Sequence, residues 1–253
     1  MRLGMKKYFD IFIEFDYEVI ESVIDKGIKD GNKGYVCVVD GNVLANSVSD
    51  SQYKDIVNGA IINTCDGSSI ALIAGIIHRQ NFVTYTGPQI FSKYVKEKYK
   101  QYFLGNTEKN LASLLSSFSE LGYCVDQFIF EPLPFQSVQD FDYAAIARNI
   151  NKFCPDIIWV SLGAPKQEIF ISKLYPYLNG GILIAIGAAF NLFIEDKENK
   201  RTPKALRRLH LEWLFRVIKE PERVGKRALN YLFLLPRLIF EEIKRTNVRN
   251  NYL

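Results

Sequence analysis

The sequence contains few of the residues that build metal sites in proteins. It has two histidines, His78 and His210, and four cysteines that form no C-x-x-C pair. Zinc and iron sites need several closely placed histidine or cysteine ligands, so such a site is not expected. The cysteines lie far apart, in or beside apolar runs, and we predict buried, reduced thiols rather than disulfides. They are Cys37, Cys65, Cys124 and Cys154.

Long apolar segments are also missing. No run reaches the roughly 18 apolar residues that a membrane-spanning helix needs. The first residues, MRLGMKKYFDIFIEFDYEV, are interrupted by Asp10, Glu14 and Asp16, so we expect no signal peptide. No G-x-G-x-x-G motif follows the first predicted strand, which disfavours a standard dinucleotide site. These absences favour a cytoplasmic protein.

The composition is otherwise ordinary, but the charge is unevenly distributed. Of 253 residues, 48% are hydrophobic and 24% are charged, as in soluble globular proteins. Residues 200–253 hold 14 Lys/Arg and 5 Asp/Glu, a net charge of +9. The whole chain carries +4, so residues 1–199 carry −5. A basic tail on a mildly acidic body indicates an anionic membrane or a phosphate-rich partner.

Short apolar, β-rich runs alternate with helical patterns along most of the chain. The predicted strands are 7–13, 35–39, 61–65, 101–104, 125–130, 157–162 and 182–186. The predicted helices are 16–30, 68–78, 90–99, 107–121, 138–153 and 165–178. This alternation predicts an α/β fold with a mostly parallel sheet and helices on both faces. We divide the chain into a core (1–193), a mobile polar loop (194–204) and a basic helical appendage (205–253).

Glycine and polar residues follow five of the predicted strands. These ends are Asp40-Gly41-Asn42, Asp66-Gly67, Gly105-Asn106-Thr107, Gly163 through Glu168, and Gly187 through Asn191. Ordinary turns use the same residue types, so one such end would carry no information. In parallel α/β sheets, however, ligands bind at the carboxyl ends of the strands. Five polar ends at one edge therefore favour a binding site there.

Three stretches of the sequence carry a family resemblance. They are VVDGNVLANSVSDSQYKDIVNGAIINTCDGSSIALIAG (38–75), PDIIWVSLGAPKQEIFISKL (155–174), and GILIAIGAAFNLFIED with RTPKALRRLHLEWLFRVIKEPERVGKR (181–196 and 201–227). Together they resemble the WecG/TagA/CpsF family, glycosyltransferase family 26. The most specific elements are LGAPKQE and LEWLFRVIKEPER. The similarity covers most of the chain, from the strand at 35–39 to residue 227.

The resemblance implies a function as well as a fold. It implies a Rossmann-like core and metal-independent, inverting transfer of a sugar without a cofactor. The implied donor is a UDP-sugar, with N-acetylmannosamine, its uronic acid or glucose. The implied acceptor is an undecaprenyl-diphosphate-linked saccharide of bacterial cell-surface polysaccharide or teichoic acid biosynthesis. The resemblance also implies a C-terminal appendage that touches the inner face of the cytoplasmic membrane and completes the active site.

The resemblance assigns catalytic roles to residues of this sequence that match the family's motifs. Asp66 stands where the family has its proposed catalytic aspartate, and a carboxylate there would take the proton of the acceptor hydroxyl. The alternative is an ordinary Asp-Gly turn. Arg216 and Arg223 match functional arginines that would stabilise the departing diphosphate, since a guanidinium donates two hydrogen bonds at once. Spacing assigns the third basic position to Lys226, and residue type assigns it to Arg227. The alternative is a solvated basic face.

Further residues are expected to bind the substrates. Asn42 matches a family asparagine that would orient the sugar or the acceptor. Asp40 replaces the usual threonine, and either reshapes the donor pocket or caps a turn. Gln167 either contacts the donor or, with Glu168, caps a helix start. The remaining predicted binding residues are Gly105, Asn106 and Gly163, whose backbone would approach the nucleotide, with Asn191 and Lys226.

Besides Asp40, three further positions depart from the family pattern. Asn191 and Gln89 stand where aspartates are common, and Thr84 stands where an arginine is often found. These departures leave the donor sugar open. They also motivate an alternative function, a catalytically inactive, membrane-associated protein that binds nucleotide-sugars.

The tail segment 226–245, KRALNYLFLLPRLIFEEIKR, combines large apolar residues with basic ends. Such a segment can lie in the headgroup region of an anionic membrane. Pro236 is expected to kink or split a helix there. The alternative is a helix pair that packs on the core or in an oligomer interface. Nucleic-acid binding by the basic tail is a third hypothesis, which the many apolar residues disfavour.

Overall fold

A parallel sheet organises the protein in the computed structural model, which describes residues 5–194 and 225–250. The six strands are β3 (Lys33–Val39), β4 (Ile62–Cys65), β5 (Gln101–Gly105), β6 (Phe128–Glu131), β7 (Ile157–Ser161) and β8 (Gly181–Ala185). Their order across the sheet is β4-β3-β8-β7-β5-β6, and all neighbours are parallel. The predicted α/β fold with a parallel sheet is confirmed.

Helices cover both faces of this sheet. They are α1 (Tyr17–Lys29), α2 (Gly41–Ser49), α3 (Ser51–Gly59), α4 (Ser68–His78), α5 (Gly87–Tyr94), α6 (Glu108–Glu120), α7 (Tyr143–Phe153), α8 (Lys166–Leu174) and α9 (Lys226–Asn250). Each face has its own apolar core, and neighbouring strand residues alternate between them. Tyr102 and Val160 belong to one core, whereas Phe103 and Trp159 belong to the other. Burial on both sides explains why the strands read as continuous apolar runs.

Two of the predicted strands are wrong in detail. Residues 7–13 form a hairpin of β1 (Lys7–Tyr8) and β2 (Ile11–Phe12), because Phe9 and Asp10 are left-handed, with φ of 53° and 65°. The segment 125–130 begins with a short 3-10 turn, and pairing with β5 starts only at Phe128.

Helices α2 and α3 were not predicted from the sequence. The Asp40 carboxylate accepts a hydrogen bond from the backbone N–H of Val43 at 2.9 Å and caps α2. Asp50 likewise accepts from Gln52 and Tyr53 and caps α3. Aspartate is favoured both in turns and at helix N-caps, and here both aspartates act as N-caps.

The C-terminal helix α9 continues through Pro236, so the expected split is wrong, whereas the kink that was the other expectation stays a prediction. Pro236 lies on the exposed face, where water can satisfy the carbonyl that a proline leaves unpaired. The opposite face packs on α2 and α4 and buries Leu238 and Glu242. Among the described helices, none has both the length and the apolarity to cross a bilayer.

The cysteines only partly follow the prediction of buried thiols. All four are free; Cys37 and Cys65 are buried, Cys124 is half-buried and Cys154 is exposed. Cys154 lies at the left-handed end of α7, where the chain turns outward before β7.

Within residues 5–194 and 225–250, no three histidine, cysteine, aspartate or glutamate side chains are grouped as metal ligands would be.

Candidate active site at the carboxyl edge of the sheet

The five polar strand ends meet at one edge of the sheet. Strands β4, β3, β8, β7 and β5 are consecutive neighbours and run in the same direction. Their carboxyl ends therefore present, in that order, the loops that begin at Asp66, Asp40, Gly187, Gly163 and Gly105. The prediction that these ends lie along one edge is confirmed.

Asp66 and Asp40 lie on adjacent loops. Val39 pairs with Cys65 in the sheet, and each aspartate is the next residue along its own chain segment. The backbone N–H of Asp66 donates to the Val39 carbonyl at 2.9 Å, which ties the two loops together. Both aspartates are half-buried. Two half-buried aspartates thus follow neighbouring strands at this edge.

The thiol beside Asp66 is inert. Burial, with a smaller contribution from the Asp66 charge, raises the pKa of Cys65 to about 12. Its Sγ–H donates to the Gly67 carbonyl at 3.4 Å. Because the thiolate is the nucleophilic form, this cysteine is not a nucleophile at neutral pH. The role of Asp66 as the reactive group of this loop stays a prediction.

Asn42 joins the Asp40 loop to the loop after β7. Its Nδ2 donates to the Ala164 carbonyl at 3.1 Å, and its Oδ1 accepts from Asn46 at 3.2 Å. Asp40 is the N-cap of α2, so capping is confirmed, although of a helix rather than a turn. Its effect on the donor pocket stays a prediction.

Gln167 holds the loops after β7 and β8 at a fixed separation. Its Oε1 accepts from the backbone N–H of Gly163 at 3.1 Å and from that of Gly187 at 3.0 Å. The N-cap residue of α8, Pro165, makes no side-chain cap bond, but Gln167 bonds the Gly163 N–H just before the helix. The contact of Gln167 with the donor stays a prediction. Lys166 points elsewhere: its Nζ donates to the Gln136 carbonyl at 2.6 Å.

The glycine and asparagine after β5 allow close backbone packing. Gly105 has φ of 98°, and a Cβ there would lie 2.9 Å from the Ser161 carbonyl oxygen. Asn106 is also left-handed, with φ of 71°, and its Oδ1 accepts from Thr107 at 2.9 Å and Asn110 at 2.7 Å. A side chain at residue 105 would force β5 away from β7, so glycine is required. Gly163 is likewise left-handed, with φ of 75°.

The residues that depart from the family pattern have different surroundings. Gln89 completes a capping box with Thr86 at the start of α5 and therefore has a structural role. Asn191 is exposed in the 3-10 turn Gly187–Leu192 that follows β8. Thr84 lines a groove described below and is half-buried.

The predicted cations are only partly located. Arg216 and Arg223 lie outside the described residues, whereas Lys226 and Arg227 are the first two residues of α9. The ring of Tyr231, one turn later, covers Gly41: a Cβ on this glycine would lie 2.9 Å from it. The Tyr231 hydroxyl lies 3.3 Å from Ser69 Oγ. The start of α9 is thereby adjacent to the Asp40 and Asp66 loops.

An apolar groove begins beside Asp66. It has a volume of about 690 Å³ and runs between α4 and residues 79–84. Its near end is formed by Ser68 and Thr84, because the Tyr85 N–H donates to the Cys65 carbonyl at 3.0 Å. Further along, the exposed side chains of Leu72, Ile76 and Val83 line it.

Two tyrosines at this edge were missed from the sequence. Tyr53 of α3 donates to the buried Glu168 carboxylate at 2.9 Å, and Tyr231 of α9 covers Gly41. For Tyr53 a signal existed: Asp50 is an N-cap residue, and Tyr53 and Val57 follow at helical spacing. Nothing in the local pattern around Tyr231 indicates which part of the core it contacts.

Comparison with known proteins identifies the family of this chain. The profile of the glycosyl transferase WecG/TagA/CpsF family matches residues 9–248. An N-acetylglucosaminyldiphosphoundecaprenol N-acetyl-beta-D-mannosaminyltransferase of Bacillus spizizenii is 22% identical over 217 residues, 84% of this chain and 82% of the relative. Relatives of the same name from Bacillus subtilis (24%; 77% and 75%) and Staphylococcus aureus (20%; 77% and 76%) are similar over comparable lengths. The chain belongs to the WecG/TagA/CpsF family of glycosyl transferases.

Proposed function

We propose that this protein transfers a sugar from a UDP-sugar to an undecaprenyl-diphosphate-linked saccharide, with inversion at the anomeric carbon. The observation that carries the proposal is the position of Asp66, beside Asp40 and on the same sheet edge as the Gly163 and Gly105 loops. The relatives are named for transfer of N-acetylmannosamine to a lipid-diphosphate-linked N-acetylglucosamine. The donor here is N-acetylmannosamine or another hexose, and the product belongs to cell-surface polysaccharide or teichoic acid.

The chemistry is a single displacement. Asp66 accepts the proton of the acceptor hydroxyl while that oxygen forms a bond to the anomeric carbon of the donor. The bond from this carbon to the UDP oxygen breaks, and UDP departs with the electron pair. Attack from the face opposite UDP inverts the configuration. Arg216 and Arg223, with Arg227 or Lys226, neutralise the growing negative charge electrostatically.

The donor lies, in this proposal, over the loops after β7, β8 and β5. Gly163, Gly105 and Asn106 allow its nucleotide to approach the backbone closely. Gln167 keeps the first two of these loops in place, and Asn191 faces solvent after β8, where it can reach the sugar. Asn42 lies between the donor loops and Asp66 and orients the reacting groups.

The acceptor brings its lipid to the groove beside α4. Its saccharide reaches Asp66 at the near end, and its isoprenoid chain lies along Leu72 and Ile76. Helix α9 adds the exposed apolar side chains of Leu229, Phe233 and Phe240, with exposed Arg237 nearby in sequence. These features support peripheral attachment to the anionic inner face of the cytoplasmic membrane.

The reaction is tested by UDP release from purified protein. UDP-N-acetylmannosamine and UDP-glucose are supplied with a lipid-diphosphate-N-acetylglucosamine acceptor. Loss of a general base costs roughly 10²- to 10⁴-fold in rate, so Asp66→Asn should lower turnover by at least about 100-fold with an unchanged melting temperature. Asp55→Asn, on the exposed side of α3, is the matched control. Normal turnover by Asp66→Asn would exclude Asp66 as the base.

Membrane attachment is tested by flotation with vesicles. Phe233→Ser with Phe240→Ser should release the protein from vesicles that contain phosphatidylglycerol, because both side chains are exposed, by 82% and 69%. The double variant should keep its melting temperature, unlike a truncation that removes the buried Leu238. Equal flotation of variant and wild type would contradict attachment through this face of α9.

An inactive nucleotide-sugar-binding protein is the second candidate. Asn191 favours it, since this exposed position at the sheet edge carries an amide where the family commonly has a carboxylate. UDP binding without turnover of any donor would support this candidate over the transferase. Restored turnover in Asn191→Asp would then identify the missing charge as the cause.

A further inference from the structure

A carboxylate is buried directly beneath the proposed donor loops. Glu168, on the first turn of α8, is 0% exposed, and Tyr53 of α3 is 2% exposed. The Tyr53 hydroxyl donates to Glu168 Oε2 at 2.9 Å, and Gln167 Nε2 donates to Glu168 Oε1 at 2.8 Å. Buried acids are rare unless they are paired or fully hydrogen-bonded. Both carboxylate oxygens of Glu168 are engaged, but by neutral donors.

Glu168 determines which way the Gln167 amide points. Only the amide oxygen can accept hydrogen bonds, and it accepts those of Gly163 and Gly187. The amide nitrogen must then face an acceptor, and that acceptor is Glu168. Without it, the nitrogen would be buried with no partner, and the amide would lose its preference for this orientation.

The loop after β8 is held from both sides by this arrangement. The Gly187 N–H donates to Gln167, and the Gly187 carbonyl accepts from Ser161 Oγ at 2.6 Å. Gly187 is left-handed, with φ of 54°. A continuous chain of hydrogen bonds thus runs from Tyr53 through Glu168 and Gln167 to the loops that follow two neighbouring strands.

We propose that Glu168, supported by Tyr53, is a positioning residue for the nucleotide-sugar: it orients Gln167, and Gln167 sets the separation of the Gly163 and Gly187 loops. The inference rests on the proposed function, because these loops are the proposed donor site. Glu168 does not touch the donor, since its side chain is fully buried.

The hydrogen bonds that position the donor loops are also expected to depend on pH. Burial, reinforced by the nearby Asp40 charge, raises the pKa of Glu168 to about 7. The other described titratable groups that face it are Tyr53 and Cys37, and burial raises the pKa of each, so both stay neutral near pH 7. Above pH 7 the bonds to Tyr53 and Gln167 are charge-assisted, and below it they are weaker. Donor binding is therefore expected to strengthen as the pH rises from 6 to 8.

The test measures UDP binding by calorimetry in Glu168→Met and Glu168→Gln. Methionine keeps the volume but accepts no strong hydrogen bond, whereas glutamine can still accept from Gln167 and donate to Tyr53. Glu168→Met should weaken UDP binding about tenfold at pH 8, the scale expected for a lost bond to a charged group. Glu168→Gln should restore most of the affinity. Tyr94→Phe removes the bond of another buried tyrosine to a carboxylate, that of exposed Asp25 at 2.8 Å, and should leave binding unchanged.

A second readout is the UDP affinity of the wild type divided by that of Glu168→Gln, measured between pH 6 and 8. The titration of UDP affects both proteins equally and cancels in this ratio. This ratio should rise about threefold, because a charge-assisted bond is roughly twice as strong as a neutral one. Tyr53→Phe removes a bond that favours the charged form, so it should move this rise to higher pH. Equal UDP affinity in wild type and Glu168→Met, or a flat ratio if the methionine variant does not fold, would overturn the positioning role. A wild type that binds no UDP would instead refute the proposed function.

Discussion

Replacing Glu168 with glutamine is expected to raise the stability of the protein relative to the wild type as the pH rises from acid to neutral. The pKa of this carboxyl is raised from 4.5 to about 7, chiefly by burial. The folded protein therefore holds the Glu168 proton more tightly than the unfolded chain does. The contribution to the free energy of unfolding is fully present below about pH 4.5, and it is lost as the pH rises through 7.

The size of the loss follows from the same two values. Each pKa unit corresponds to about 1.4 kcal/mol, so moving from 4.5 to about 7 removes about 3 kcal/mol between pH 4.5 and 8. Glutamine does not titrate and escapes this loss. The free energy of unfolding of Glu168→Gln, minus that of the wild type, should therefore increase by about 3 kcal/mol over this range.

Urea unfolding at several pH values measures this difference. The fluorescence of Trp159, which is fully buried, reports the transition. All other titrating groups are common to both proteins and largely cancel in the difference. Glu97→Gln, at an exposed position, is the control and should show no comparable trend. A difference that stays constant or shrinks between pH 4.5 and 8 would refute the buried-carboxylate reasoning.

Three further predictions concern α9 and the groove. Glu242→Ala should lower the free energy of unfolding by about 2–3 kcal/mol, because buried Glu242 accepts from the Phe9 N–H at 2.8 Å and contacts His78 at 2.9 Å. Glu241→Ala, which loses exposed ion pairs with Arg237 and Arg245, should cost less than about 1 kcal/mol in the same urea titration. Gly41→Ala should cost about 1–3 kcal/mol, since its Cβ would lie 2.9 Å from the Tyr231 ring, and an unchanged denaturation midpoint would argue against this packing. Ile76→Asp should raise the KM for an undecaprenyl acceptor at least about tenfold, since this side chain is 70% exposed in the groove. The KM for a short-chain acceptor should stay unchanged, and equal effects on both acceptors would exclude the groove as the lipid site.

The periodic elements of this fold could be predicted from the sequence. Helix α4 has the predicted bounds, 68–78, and the strands of the sheet lie close to their predicted positions. Their patterns are local: apolar residues recur with the period of a helix, or form short β-branched runs that two layers of helices cover. The position of the five polar strand ends could be predicted as well, because parallel strands present their carboxyl ends at one edge of the sheet.

Helices α2 and α3, which begin after an aspartate, were harder to predict from the sequence. Asp40 and Asp50 cap α2 and α3, but aspartate is also common in turns. For Asp40 the sequence left a turn and a donor-pocket role open, and for Asp50 it led to no prediction. The left-handed pair Phe9 and Asp10 was not recognised as a turn, because aspartate is common in hairpin turns but phenylalanine rarely adopts a left-handed conformation. In each case, packing with distant segments selected between local conformations that the sequence leaves nearly equal.

The amino-acid sequence by itself determined the α/β class, the polar edge of the sheet and the resemblance that assigns Asp66. The tertiary structure decided which polar groups lose their water. Glu168 is buried because Tyr53, 115 residues away, closes over it, and Glu242 meets the Phe9 N–H across 233 residues. The free energy of a charge depends on what surrounds it in space, and contacts at such separations leave no trace in local periodicity.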